Sequence, residues 1–103
     1  MNGRSPKRKG SAFERELVNE AKARGFEAER AYGSNGRALG ESEEVDLVVQ
    51  GCRIQAKRRA TLASYLQIPE GADAVVFRQD RGPTLALIPW DTLLTLIERN
   101  DGF

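Results

Sequence analysis

Val45-Asp46-Leu47-Val48-Val49-Gln50-Gly51-Cys52-Arg53-Ile54-Gln55-Ala56-Lys57 is the stretch whose reading decides the fold. Two runs of strand-forming residues flank Gln50-Gly51, and a two-residue connection containing glycine suits a tight hairpin. With that turn, Val49 pairs with Cys52, Val48 with Arg53, Leu47 with Ile54, Asp46 with Gln55, Val45 with Ala56 and Glu44 with Lys57. Side chains alternate between the faces of a strand. One face then carries Val45, Leu47, Val49, Cys52, Ile54 and Ala56, all apolar. The other carries Glu44, Asp46, Arg53, Gln55 and Lys57, with Val48 among them. Opposed residues hold their Cβ atoms roughly 4.5–5.5 Å apart. Asp46 and Gln55 therefore offer two oxygens that can share one cation, with Lys57 two residues along. A solvated outer face of an antiparallel hairpin explains the same pattern, and on this stretch alone both readings stand.

Working outward, Ser11-Ala12-Phe13-Glu14 has the form of a capping box, which starts a helix at Ser11 and puts Glu14 at its third position. Phe13, Leu17, Val18 and Ala21 recur at helical spacing, and Gly25 closes the helix. Glu14 is a capping residue on one reading. On the other it borders the buried stripe and can point a carboxylate at the sheet. Phe26 to Tyr32 is expected as a first strand, and Gly33 to Glu43 as a polar, glycine-rich loop. Thr61 to Ile68 is expected as a short helix ended by Pro69, and Ala72 to Arg78 as a strand. Asp80-Arg81-Gly82 is the next turn, and Thr84 to Ile88 the returning strand. Trp90 to Arg99 follows as a final helix with Leu93, Leu94 and Ile97 inward. Leu96 adds to an apolar surface wider than one face, suited to core or to an interface.

At 103 residues the chain is sized for one domain, here Met1 to Gly10 as a flexible basic arm and residues 11–103 as a single domain. With 40% hydrophobic and 30% charged residues it is globular in composition. No apolar run approaches the roughly 18 residues of a membrane helix, and Met1 to Gly10 lacks a secretory pattern. A cytoplasmic location is expected, or a host cytoplasm for a viral protein. One cysteine excludes an internal disulfide, and the absence of histidine removes His-based zinc sites and triads. Chemistry must rest on carboxylates, lysine, arginine or a hard cation held by oxygens. Net charge is only +1, yet it is unevenly spread. Arg4, Lys7, Arg8 and Lys9 form one basic cluster and Arg53, Lys57, Arg58 and Arg59 another, beside acidic Glu41, Glu43, Glu44 and Asp46. Such clusters suit a metal-using phosphodiesterase, and equally a solvated surface.

Four segments together resemble the archaeal Holliday-junction resolvases of the PD-(D/E)XK nuclease superfamily. Arg8-Lys9-Gly10-Ser11-Ala12-Phe13-Glu14-Arg15-Glu16-Leu17 resembles the family's basic stretch and first helix. Gly25-Phe26, Arg30 and Gly33-Ser34 resemble its first strand and following loop. Val45-Asp46-Leu47-Val48 resembles the strand with the metal-binding aspartate. Ile54-Gln55-Ala56-Lys57 resembles the strand that usually reads Glu-x-Lys. The resemblance implies an α/β, restriction-endonuclease-like fold with a central mixed β-sheet flanked by helices, in the order α-β-β-β-α-β-β-α. It implies that Glu14 and Asp46 bind magnesium, with manganese able to substitute, and that the Gln55 side-chain oxygen and the Ala56 carbonyl complete the shell. Lys57 would orient the attacking water, and Ser34 would sit near the cut. Arg15 and Arg30 would hold DNA phosphates. Lys7, Arg8, Lys9, Arg37, Arg58 and Arg59 are further candidate DNA contacts.

The expected activity is an endonuclease that makes paired nicks in four-way junctions as a homodimer, with no membrane partner. The departure from the family is Gln55, which ligates through an amide oxygen and lacks the full charge of glutamate. Loss of one charge beside a divalent ion costs on the order of a few kcal/mol. Three other functions fit: a nuclease for flaps or mismatches, a junction-binding protein that does not cut, and a basic interaction domain.

Overall fold

A computed structural model describes residues 6–31 and 42–103, with side chains from Gly10 onward in the first of these spans. Helix α1 runs Pro6–Ala23. It therefore begins five residues before the capping box would start it, and residues 6–10, expected in the arm, are helical. Proline is well suited to a first helical position because its missing N–H has no partner there anyway. Ser11 lies inside the helix, so Glu14 is no cap. Its neighbours in the buried stripe are Leu17, Val18 and Ala21, at the spacing of one helix face.

The helix ends as the glycine demands. Gly25 adopts φ 89°, its N–H donates to the Lys22 carbonyl (2.9 Å), and the Phe26 N–H donates to the Ala21 carbonyl (3.1 Å). This is a Schellman closure, which needs a left-handed residue after the last turn. Two residues later the chain enters β1 (Ala28–Arg30), followed by β2 (Leu47–Val49) and β3 (Cys52–Ile54). The three strands form an antiparallel sheet in the order β1-β2-β3, and α1 packs on β1 and β2.

The β2–β3 register is the expected one: Leu47 with Ile54, Val48 with Arg53, Val49 with Cys52. Gln50 and Gly51 both have positive φ, 47° and 85°, the backbone of a type I′ turn. Leu47, Val49 and Cys52 are buried, whereas Arg53 is exposed. Gln50 also organises its surroundings. Its N–H donates to the Glu27 carbonyl (2.9 Å), its own carbonyl accepts from the Phe103 N–H (3.0 Å), and its side-chain oxygen accepts from the Glu27 N–H.

The described residues divide into two compact units, residues 6–31 and 42–58 with 101–103, and residues 59–100. In the second unit, β4 (Val75–Arg78) and β5 (Thr84–Leu87) form an antiparallel pair, followed by α2 (Trp90–Arg99). The register places Val75, Phe77, Leu85 and Leu87 on one face, and the Tyr65 ring meets Phe77 edge-on at 6.1 Å. Leu94 and Ile97 are buried, while Leu93 is half-buried and Leu96 exposed.

The described residues are thus α/β, with two helices and two sheets, in general terms consistent with a restriction-endonuclease-like architecture. Two further expectations differ. Both sheets are antiparallel throughout the described residues, where one central mixed sheet was expected. The β2–β3 and β4–β5 connections are too short for the crossover that parallel pairing needs. The helix expected over Thr61 to Ile68 is a single 3₁₀ turn, Ser64–Leu66. Pro69 disfavours a helical residue before it, and the few residues left do not repay helix nucleation.

Two outcomes follow. A Cβ at Gly25 meets nothing within 4 Å, so Gly25→Ala isolates the cost of the left-handed backbone. It should destabilise the protein by roughly 1–2 kcal/mol in urea titration. Burial pushes the Cys52 thiol up from its ordinary value, with Arg53 only partly offsetting it. Since the thiolate is the reactive form, Cys52 should resist a thiol reagent at neutral pH in the folded protein and react promptly in denaturant.

Candidate functional site

Glu14 sits in the middle of α1 and is only 4% exposed. The Arg30 guanidinium reaches it from β1, with Nε 3.8 Å from Oε1, and Arg30 Nη1 donates to the Ser11 carbonyl on the same helix (3.3 Å). The next residue along, Ala31, donates its N–H to the Asp46 carbonyl (2.8 Å). Glu14 and Asp46 are therefore tied to consecutive residues of one segment, although they stand 32 positions apart in the chain.

Asp46 is 8% exposed. Its N–H donates to the Ile54 carbonyl (2.8 Å), and its carboxylate Oδ2 accepts from the Ala56 N–H (2.8 Å). The β2–β3 ladder ends at Leu47–Ile54, so the expected pairing of Asp46 with Gln55, Val45 with Ala56 and Glu44 with Lys57 does not continue it. The Asp46 side chain takes the place that a backbone carbonyl would have held opposite Ala56. Alternation fails for the same reason. Asp46 is buried, whereas Glu44, Gln55 and Lys57 are exposed.

A buried charge is costly unless paired or hydrogen-bonded. Asp46 has one N–H partner and, among the described residues, no cation beside it. Carboxylate oxygens are hard donors, the type that suits a small divalent cation such as magnesium. Among the described residues no three His, Cys, Asp or Glu side chains gather as a metal-binding group. The candidate third side-chain ligand, Gln55, is an amide and belongs to none of those types.

Arg15 follows Glu14 on α1, is exposed, and lines an open cleft with Arg30. Lys57, Arg58 and Arg59 are all exposed. Ser34 and Arg37 lie outside the described residues, and Lys7, Arg8 and Lys9 are described only as part of the α1 backbone. Sequence reasoning missed Asn19 and Lys22, which line the same cleft. Their spacing from Arg15, four and seven positions on, marks one helix face. No helix of the described residues is long and apolar enough to cross a membrane.

The family described as "Archaeal holliday junction resolvase (hjc)" matches residues 5–53 of the chain. The match spans Glu14, Arg15, Arg30 and Asp46 and ends before Gln55 and Lys57. It bears out the resemblance read from the sequence over those residues and supports assignment to a PD-(D/E)XK-like nuclease family. No curated protein and no solved structure matches the chain.

Two substitutions at Asp46 should separate the charge from the hydrogen bond. Asp46→Asn keeps an oxygen for the Ala56 N–H and removes the buried charge, so its urea midpoint should equal or exceed that of the wild type. Asp46→Ala leaves the amide without its acceptor and should cost about 1–3 kcal/mol.

Proposed function

We propose that this protein is a structure-selective endodeoxyribonuclease that resolves four-way DNA junctions by metal-dependent phosphodiester hydrolysis, acting as an intracellular homodimer. The observation that carries the proposal is the pair of buried carboxylates, Glu14 and Asp46, tied to adjacent residues Arg30 and Ala31 within the span that matches the resolvase family.

On this reading Glu14 and Asp46 hold a magnesium ion, or manganese in its place, with the Gln55 side-chain oxygen and the Ala56 carbonyl as further ligands. Such an ion, when bound, would supply a more acidic water and offset charge at the phosphate. The Ala56 N–H orients the Asp46 carboxylate toward that task. Lys57 positions the water and offsets phosphate charge, and Ser34 contacts the strand near the cut. Arg15 and Arg30 hold phosphates at the site. Lys7, Arg8, Lys9, Arg37, Arg58 and Arg59 contact the duplex arms. A four-way junction has near two-fold symmetry, so a two-fold dimer delivers two matched cuts. Exposed Leu62, Tyr65, Val76, Leu85 and Leu96 supply apolar surface for such an assembly.

A second reading keeps the substrate and drops the chemistry: a protein that binds junctions without cutting them. The exposed amide of Gln55, at a position outside the matched span, favours it.

The deciding measurement is cleavage of a labelled four-way junction, beside a linear duplex of the same sequence, in magnesium. Paired nicks in the junction, absent from the duplex and abolished by Asp46→Asn, are expected. Equal cutting of both DNAs would point to a broader nuclease. Tight binding without nicks, with cleavage gained in Gln55→Glu, would establish the non-cleaving reading. Restoring the carboxylate should raise the rate by at least tenfold even if the wild type cuts, since one charge near the cation is worth more than about 1.4 kcal/mol.

A further inference from the structure

On the outer side of α1, where it runs beside β1, lies an open cleft of about 330 Å³ lined by Arg15, Val18, Asn19, Lys22, Glu29 and Arg30. Resting on the nuclease reading, we propose that the Asn19–Lys22 end of this cleft is an additional phosphate seat. It takes the sugar-phosphate backbone of a duplex arm beyond the residues that hold the scissile region.

Arg15, Asn19 and Lys22 stand four and seven positions apart, so they share one face of α1. Arg15 and Lys22 are about 10 Å apart along the helix axis at 1.5 Å per residue. That exceeds the separation of neighbouring phosphates on one DNA strand, so the two cations address different phosphates. Neither side chain has an ion-pair or hydrogen-bond partner among the described residues, unlike that of Arg30, which is engaged with Glu14 and Ser11. Asn19 lies between them, exposed, with an amide that can donate to a phosphate oxygen. Val18, largely buried, also lines the cleft and brings no competing side-chain acceptor. Glu29 is the one carboxylate of the lining, set against three cations. The cleft thus selects an anion that is long and repeated, as a nucleic-acid backbone is. A position in the last turn of a helix also favours lysine through the helix dipole, and that role would leave DNA binding unchanged when the lysine is replaced.

Binding to the labelled junction and to a duplex of the same sequence, measured by fluorescence anisotropy across a salt series without divalent metal, tests the seat. Lys22 and Asn19 are exposed, and circular dichroism checks that the variants fold. Lys22→Gln should weaken binding to both DNAs by about eightfold at 0.1 M salt and lower the slope of log K against log salt by about 0.9, the counterion-release value of one contact. Asn19→Ala should weaken binding with little change of slope, and Glu29→Gln should strengthen it. A Lys22→Gln slope equal to that of a wild type that binds DNA overturns the seat and leaves the nuclease reading intact. A wild type that binds neither DNA overturns that reading and the seat together.

Discussion

The hydrogen bond from the Ala56 N–H to the buried carboxylate of Asp46 is the contact around which the first unit is arranged. It stops the β2–β3 ladder at Leu47–Ile54, because a side chain occupies the place of the next backbone acceptor. It draws Asp46 out of the alternation that would have left it in solvent. It also fixes the backbone of residue 46, whose carbonyl receives Ala31 at the end of β1. From there Arg30 reaches across to Glu14. One neutral donor lowers the cost of burying a carboxylate without cancelling it, and a cation is the natural complement.

Gln50 gives the sheet its other fixed point. A residue in the left-handed region turns its carbonyl away from the neighbouring strand. Here that carbonyl meets Phe103, and the side-chain amide substitutes for it toward Glu27. The first strand is thereby held in register at both ends, by Gln50 at one and by Asp46 at the other. With only three residues per strand, a ladder this short depends on such terminal contacts more than on its own hydrogen bonds.

Features set by local chemistry were legible in the sequence. The Gln50-Gly51 turn, the strand register it implies, the glycine closure of α1 and the full extent of α2 all follow from neighbours a few positions apart. Features set by competition between two local signals were not. Ser11 and Glu14 carry the letters of a capping box, but Pro6 offers an earlier start, and the amphipathic stripe lets the helix run through both. The burial of Asp46 was hidden because alternation assumes that a strand continues, and this one stops. The amphipathic stripe drew attention to the inward face of α1, so Asn19 and Lys22 on the outward face escaped notice despite their regular spacing. Of the candidate site, the carboxylates were visible as residue types, while their link through Arg30 and Ala31 required the fold.

Between the last turn of α1 and the start of β1 there is almost no slack. Gly25 and Phe26 complete the helix closure, and Glu27 is already bonded to Gln50. This four-residue splice, residues 24–27, sets the phase of the strand relative to the helix. A strand displaced by one position exposes what it buried, so a single inserted or deleted residue here would exchange Arg30 for one of its neighbours opposite Glu14. One such neighbour is Glu29, and two carboxylates would then confront each other where a cation and an anion now meet. The joint is thus a place where chain length itself is a functional variable, and where substitutions should be borne far more readily than changes in length.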